Sequence, residues 1–81
     1  MRSVEQVLME LTPIFRDALN NERLVLTAEM SARGVDGWDS FTHMRLIVAI
    51  EQHYGIHFRL KDLLTFENVG DMCGEVLRLT R

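Results

Sequence analysis

Asp39-Ser40-Phe41-Thr42-His43-Met44-Arg45-Leu46-Ile47-Val48-Ala49-Ile50-Glu51-Gln52-His53-Tyr54-Gly55 is the stretch on which the fold turns. Asp39 and Ser40 each offer a side-chain oxygen to the open N–H groups of a helix start, and Gly55 ends the pattern at the other side. Between them Leu46, Ile50 and Tyr54 step by four and make one apolar stripe, while Phe41, Met44 and Val48 make a second. A helix that is apolar on two sides buries one in its own domain and leaves the other for a partner.

Upstream, Ser3 and Gln6 have the spacing of a capping box, so a helix opens there. Val4, Val7, Leu8, Leu11, Ile14, Phe15, Ala18 and Leu19 recur at helical steps, and the helix is expected to end near Asn20-Asn21. Pro13 lies inside this pattern; it removes a ladder hydrogen bond and crowds the carbonyl four residues back, which predicts a kink or a restart. From Asn20 to Trp38 the periodicity fades, yet Leu24, Val25, Leu26 and Met30 remain apolar. That combination predicts a long ordered loop packed on the helices, with function near its end.

Downstream of Gly55, Ile56 and Phe58 alternate with His57 and Arg59 as a short extended link, and Leu60, Leu63, Leu64 and Phe66 suit one or two helical turns. Val69, Met72, Cys73, Val76 and Leu79 then line a last helix over 67–79, in which Gly70 and Gly74 lower intrinsic helicity and favour close packing. No strand pattern or repeat interrupts the chain. The expected fold is all-α, a small four-helix bundle with three longer helices, one short helix and a long loop between the first two.

Eighty-one residues suffice for one domain, residues 1–81. A hydrophobic share of 47% with 26% charged residues is that of a globular chain, and no apolar run reaches the roughly 20 residues of a membrane span. The acid and amide in Met1-Arg2-Ser3-Val4-Glu5-Gln6 break any secretory pattern, and Cys73 stands alone. Both features favour a cytoplasmic protein in a reducing compartment. A net charge of −3 with Lys61 as the only lysine argues against a nucleic-acid binder, which needs clustered cations.

Gly37-Trp38-Asp39-Ser40-Phe41 resembles the Asp-Ser-Leu attachment motif of acyl and peptidyl carrier proteins, with Phe41 in place of leucine. Leu46, Ile50-Glu51, Tyr54, Phe58 and Val69 continue the resemblance, which with the flanking helices spans nearly the whole chain. The resemblance implies a non-enzymatic acyl carrier protein of lipid, fatty acid or polyketide biosynthesis. Its Ser40 would receive a 4'-phosphopantetheine arm from coenzyme A through a phosphopantetheinyl transferase, and the arm would hold acyl groups as thioesters. Asp39 would assist the transferase and its magnesium, and Phe41 and Met44 would belong to the surface gripped by acyl-loading and acyl-processing enzymes. A monomer is expected.

The sequence departs from the fatty acid carriers along the recognition helix, where they usually show several carboxylates. Here Thr42, His43, Met44 and Arg45 are followed by Glu51 as the only acid. Arg45 would repel basic docking patches, so a specialised carrier is favoured. An aminoacyl or peptidyl carrier loaded by an adenylating ligase, and an unmodified helical interaction module in which Ser40 serves only as a cap, remain alternatives. His43 one turn from Ser40 invites a nucleophile–base pairing, but no oxyanion hole or cleft accompanies it. His53 and His57 flank Gly55 without a third ligand and read as surface side chains. Cys73 reads as a small buried hydrophobe. Trp38 either covers the base of the arm or pins the loop, the structural role being favoured.

Overall fold

The computed structural model describes residues 2–80; Met1 and Arg81, the two ends of the expected domain, lie outside the described residues. Four helices follow one another, α1 (Val4–Ala18), α2 (Ser40–Tyr54), α3 (Leu60–Thr65) and α4 (Val69–Leu79), with the long loop between α1 and α2 and no strand among the described residues. The three longer helices and the short one are those the periodicity predicts.

Helix α1 starts as its capping box requires. The Gln6 N–H donates to Ser3 Oγ at 3.2 Å and the Ser3 N–H donates to Gln6 Oε1 at 3.0 Å. Val7, Leu11 and Phe15 are fully buried, each contributing about 1.5–3 kcal/mol by leaving water. Of the kink or restart expected at Pro13, the restart does not occur, because the helix runs unbroken to Ala18. Pro13 and Met9 both sit on the exposed side, so water can serve the carbonyl that the missing N–H leaves open.

Helix α1 packs against both α2 and α4, and the buried side chains of all three join one cluster. α2 sends Leu46, Ile47 and Ile50 inward, and α4 sends Val69, Met72, Cys73 and Val76. At the far end of the α1–α2 pair, Tyr54 Oη donates to Glu10 Oε1 at 2.6 Å while the Arg2 guanidinium lies over the Tyr54 ring. Burial and the Glu10 bond together raise the Tyr54 pKa well above that of a free phenol.

Gly55 closes α2 in the left-handed region at φ 66°, and Ile56 and Phe58 then turn inward while His57 and Arg59 face solvent, as their alternation predicts. The Phe58 N–H donates to Glu51 Oε2 at 2.8 Å, which ties this link back onto α2. α3 exposes Leu60 and Leu64 and turns Leu63 toward the core. Arg78 of α4 reaches both Glu75 and Asp62, so one guanidinium clasps α3 onto α4. Its hydrogen bond to Glu75 is the main reason that carboxyl falls to about 2.

α4 begins two residues later than the periodicity places it. Asn68 is the cap, its side chain accepting from the Asp71 N–H at 2.9 Å, while Asp71 accepts from the Glu67 N–H in return. The long loop docks on this helix start: the Val69 N–H donates to the Met30 carbonyl and the Gly70 N–H to the Ala28 carbonyl, both at 2.8 Å. Leu24 and Leu26 are buried and Val25 between them is exposed, so the loop is ordered and packed as expected.

The two α4 glycines differ in their surroundings. A methyl group on Gly70 would stand 3.2 Å from the Ala28 carbonyl oxygen and 3.3 Å from the Ala28 Cβ, whereas one on Gly74 would meet nothing within 4 Å. Close packing therefore explains Gly70 and not Gly74. Gly74→Ala should stabilise the protein by up to about 1 kcal/mol through helix propensity. Gly70→Ala should lower the melting temperature by displacing the loop, and thermal unfolding of the two variants side by side checks the pair.

Candidate functional site

The head of α2 is assembled by Asp39 rather than by Ser40. Asp39 holds extended backbone angles and its Oδ1 accepts from the Thr42 N–H at 2.8 Å. This backbone bond is the main cause that keeps the Asp39 carboxyl below the usual carboxylate range. Ser40 is thus the first helical residue, not the cap. Its side chain is exposed, and among the described residues its hydroxyl has no hydrogen-bond partner. A phosphodiester at that oxygen would lie in the first turn of a fifteen-residue helix, where backbone N–H groups and the positive end of the dipole favour an anion. The residues present therefore fit a phosphate-linked tether.

Trp38 fixes where this turn sits. It is buried, and its ring meets Phe15 of α1 edge-on with centroids 5.3 Å apart. Its indole N–H donates to His43 Nδ1 at 3.1 Å, and the two rings lie at an interplanar angle of 18° with centroids 6.1 Å apart. The imidazole nitrogen nearer the Ser40 turn is thereby taken up by the indole as an acceptor. His43 is engaged with Trp38 and not with Ser40, which removes the nucleophile–base pairing. The structural role favoured for Trp38 is the one its contacts describe.

Phe41, Met44 and Val48 are 73%, 53% and 47% exposed and run along the side of α2 opposite to Leu46 and Ile50. Arg45 is exposed among them and forms no ion pair among the described residues. Glu51 is not its counterweight, because its carboxylate is half-buried against the Phe58 N–H with His57 beside it. The outward face of α2 therefore combines apolar groups with a single free cation.

A cavity of about 580 Å³ opens between the loop, α2 and the α3–α4 link, walled by Arg33, Trp38, His43, Phe66, Glu67 and Met72 among others. Sequence reading missed it, since its walls come from four separated segments. The only local signal is an indole and an imidazole five residues apart across a helix start. Cys73 is buried and desolvation pushes its thiol up to about 11. His53 packs edge-on against Tyr54 and His57 is exposed; among the described residues no three metal-ligating side chains gather. Nor is any described helix long and apolar enough to cross a membrane.

The family model described as a phosphopantetheine attachment site matches residues 10–76. The chain belongs to the acyl carrier protein family. It is similar to the holo acyl carrier protein from Geobacter metallireducens, whose solution NMR structure superposes with a TM-score of 0.84 at 47% identity, covering 89% of this chain and 83% of that one. No curated protein matches. Members of the family are carriers and not enzymes, and their cofactor is a covalently attached 4'-phosphopantetheine.

The Asp39 cap gives a prediction independent of any partner. A carboxyl whose pKa is lowered on folding stabilises above its unfolded value of roughly 3.9 and loses that contribution as the pH falls through the folded value. Asp39→Asn should keep the cap and lose this acid sensitivity, while Asp39→Ala should lower the melting temperature at neutral pH. Melting curves from pH 7 down to pH 3 check both.

Proposed function

We propose that this carrier tethers acyl intermediates as thioesters on a 4'-phosphopantetheine arm attached to Ser40 Oγ and presents them to biosynthetic enzymes. The observation that carries the proposal is the exposed, unpartnered Ser40 hydroxyl on the first helical residue of α2. In the loading step a bond forms between Ser40 Oγ and the phosphorus bearing the pantetheine. The pyrophosphate bond of coenzyme A breaks, the nucleotide leaves as adenosine bisphosphate, and the hydroxyl proton passes to the transferase. Asp39 uses Oδ1 to hold the turn, and its second oxygen remains for the magnesium that the transferase brings. The setting is a reducing cytoplasm, in which Cys73 stays a thiol.

Intact mass and thiol titration test the attachment together. After incubation with a promiscuous phosphopantetheinyl transferase, coenzyme A and magnesium, the protein should gain the mass of one arm and one rapidly reacting thiol. Cys73 should not contribute to the rapid phase, being buried with its thiol at about 11. Ser40→Ala should gain neither. Folded wild-type protein that gains no mass would refute the carrier reading, and a gain that persists in the variant would refute the site.

The partners of Phe41, Met44 and Arg45 are specialised enzymes in lipid or polyketide-like biosynthesis, because a lone free cation on the recognition face opposes basic docking patches. Arg45→Glu should raise kcat/KM with general fatty acid enzymes by about three- to tenfold, the scale of reversing an exposed charge. Unchanged kinetics would remove charge from the account of specificity.

A further inference from the structure

Trp38 and His43 stand on either side of the attachment residue. With Asp39 as the cap of α2, Trp38 is the residue before the cap and His43 is the fourth residue of the helix. Those two positions ordinarily carry a pair of apolar side chains, whose packing fixes the angle at which the chain enters the helix. Here the pair is joined by a hydrogen bond instead, the indole N–H donating to His43 Nδ1 at 3.1 Å across the intervening turn. The indole is itself buried and held edge-on against Phe15 with centroids 5.3 Å apart. The bond therefore links the first turn of α2 to α1.

Ser40 depends on such a link. Its side chain is exposed and its hydroxyl has no hydrogen-bond partner among the described residues, so the position of Oγ follows from the backbone that carries it. Two bonds keep the shape of that backbone: Asp39 Oδ1 accepts from the Thr42 N–H and the Asp39 carbonyl accepts from the His43 N–H, both at 2.8 Å. Both lie within the turn, whereas the Trp38–His43 bond sets the turn against the bundle. Displacement at phosphorus makes that setting matter, since a reacting atom misplaced by about 1 Å costs a rate on the order of a hundredfold.

We infer that His43 is a positioning residue for arm attachment: by accepting from the Trp38 indole it holds the first turn of α2 so that Ser40 Oγ stands where the transferase meets it. The inference rests on Ser40 as the attachment point and adds what aims it. His43 makes no hydrogen bond with Ser40 among the described residues and takes no proton from it.

The test measures initial rates of arm transfer against carrier concentration, with the full chain, a promiscuous phosphopantetheinyl transferase, coenzyme A and magnesium. His43→Leu removes the acceptor, and Trp38→Phe removes the donor while keeping a ring against Phe15. His43→Asn restores an acceptor, because its Oδ1 branches from the same carbon as the imidazole Nδ1. The Leu and Phe variants should lose about two- to tenfold in kcat, the span of one net hydrogen bond, with KM little changed. The Asn variant should recover most of that loss. Leucine is the better helix former of the two, so a role confined to helix stability would rank these variants in the opposite order. The double variant Trp38→Phe/His43→Leu should cost no more than the worse single one, since both remove the same bond.

Trp38 is the only tryptophan, so one indole N–H signal in NMR spectra should move in His43→Leu and return toward its wild-type position in His43→Asn. Unchanged kcat in folded His43→Leu would overturn the inference, as would a loss that His43→Asn leaves undiminished. A raised KM with kcat intact would make His43 a surface that the transferase grips and overturn the positioning role. If His43→Leu does not fold, Trp38→Phe decides by the same kcat criterion. Wild-type protein that gains no arm by mass spectrometry would instead strike the Ser40 reading, which separates the two failures.

Discussion

The burial of Trp38 against Phe15 is the contact on which the rest of the arrangement depends. A loop of some twenty residues has no ladder of its own to fix its course, so its position follows from what it buries and what its backbone groups meet. Trp38 anchors the end nearest α2, while the Met30 and Ala28 carbonyls, bonded to the N–H groups of Val69 and Gly70, anchor the middle. Asp39 follows immediately and caps α2, so the indole sets where the helix begins and hence where Ser40 emerges. An anchor of this size suits a short chain, whose modest core gives few other ways to hold a long connection.

The division of labour along α2 follows from its two apolar stripes. One joins Phe15, Leu11 and Val7 of α1 and Met72, Cys73 and Val76 of α4 in a shared cluster, which makes the helix a rigid platform. The other is left in water at Phe41, Met44 and Val48, where it has no partner among the described residues. Arg45 lies within that exposed stripe, and Glu51 is diverted to hold the Phe58 backbone. The electrostatic character of the face is thus set by Arg45, since the helix's one carboxylate lies on another side and closes the helix end.

Helix number and order were legible in the sequence because each of the three long helices carries an apolar stripe and two of them a readable cap, Ser3 with Gln6 and Asp39 before Phe41, whereas the Asn68 cap went unread and the periodicity places α4 two residues early. Ser40 was legible as a candidate through its place in the family motif, but the choice of Asp39 as the cap depends on which oxygen meets the Thr42 N–H, and that is geometry. Pro13 misled as to a restart because a propensity argument ignores which side of the helix faces water. Gly74 misled for a related reason, since a glycine signals close approach only where another segment arrives, and the loop arrives at Gly70. The cavity and the Trp38–His43 bond were beyond sequence reading, because they arise where separate segments converge.

Tyr54, Glu10 and Arg2 give the bundle a mechanical asymmetry. Their tie joins the start of α1 to the finish of α2, so the two rods are bound together like the spine of a book at the end remote from Ser40. Any widening that admits a guest must then be taken up at the opposite edge, by the loop and the α3–α4 link. The free edge is then the one beside Ser40, and the rear of the molecule is the part the tie keeps in shape.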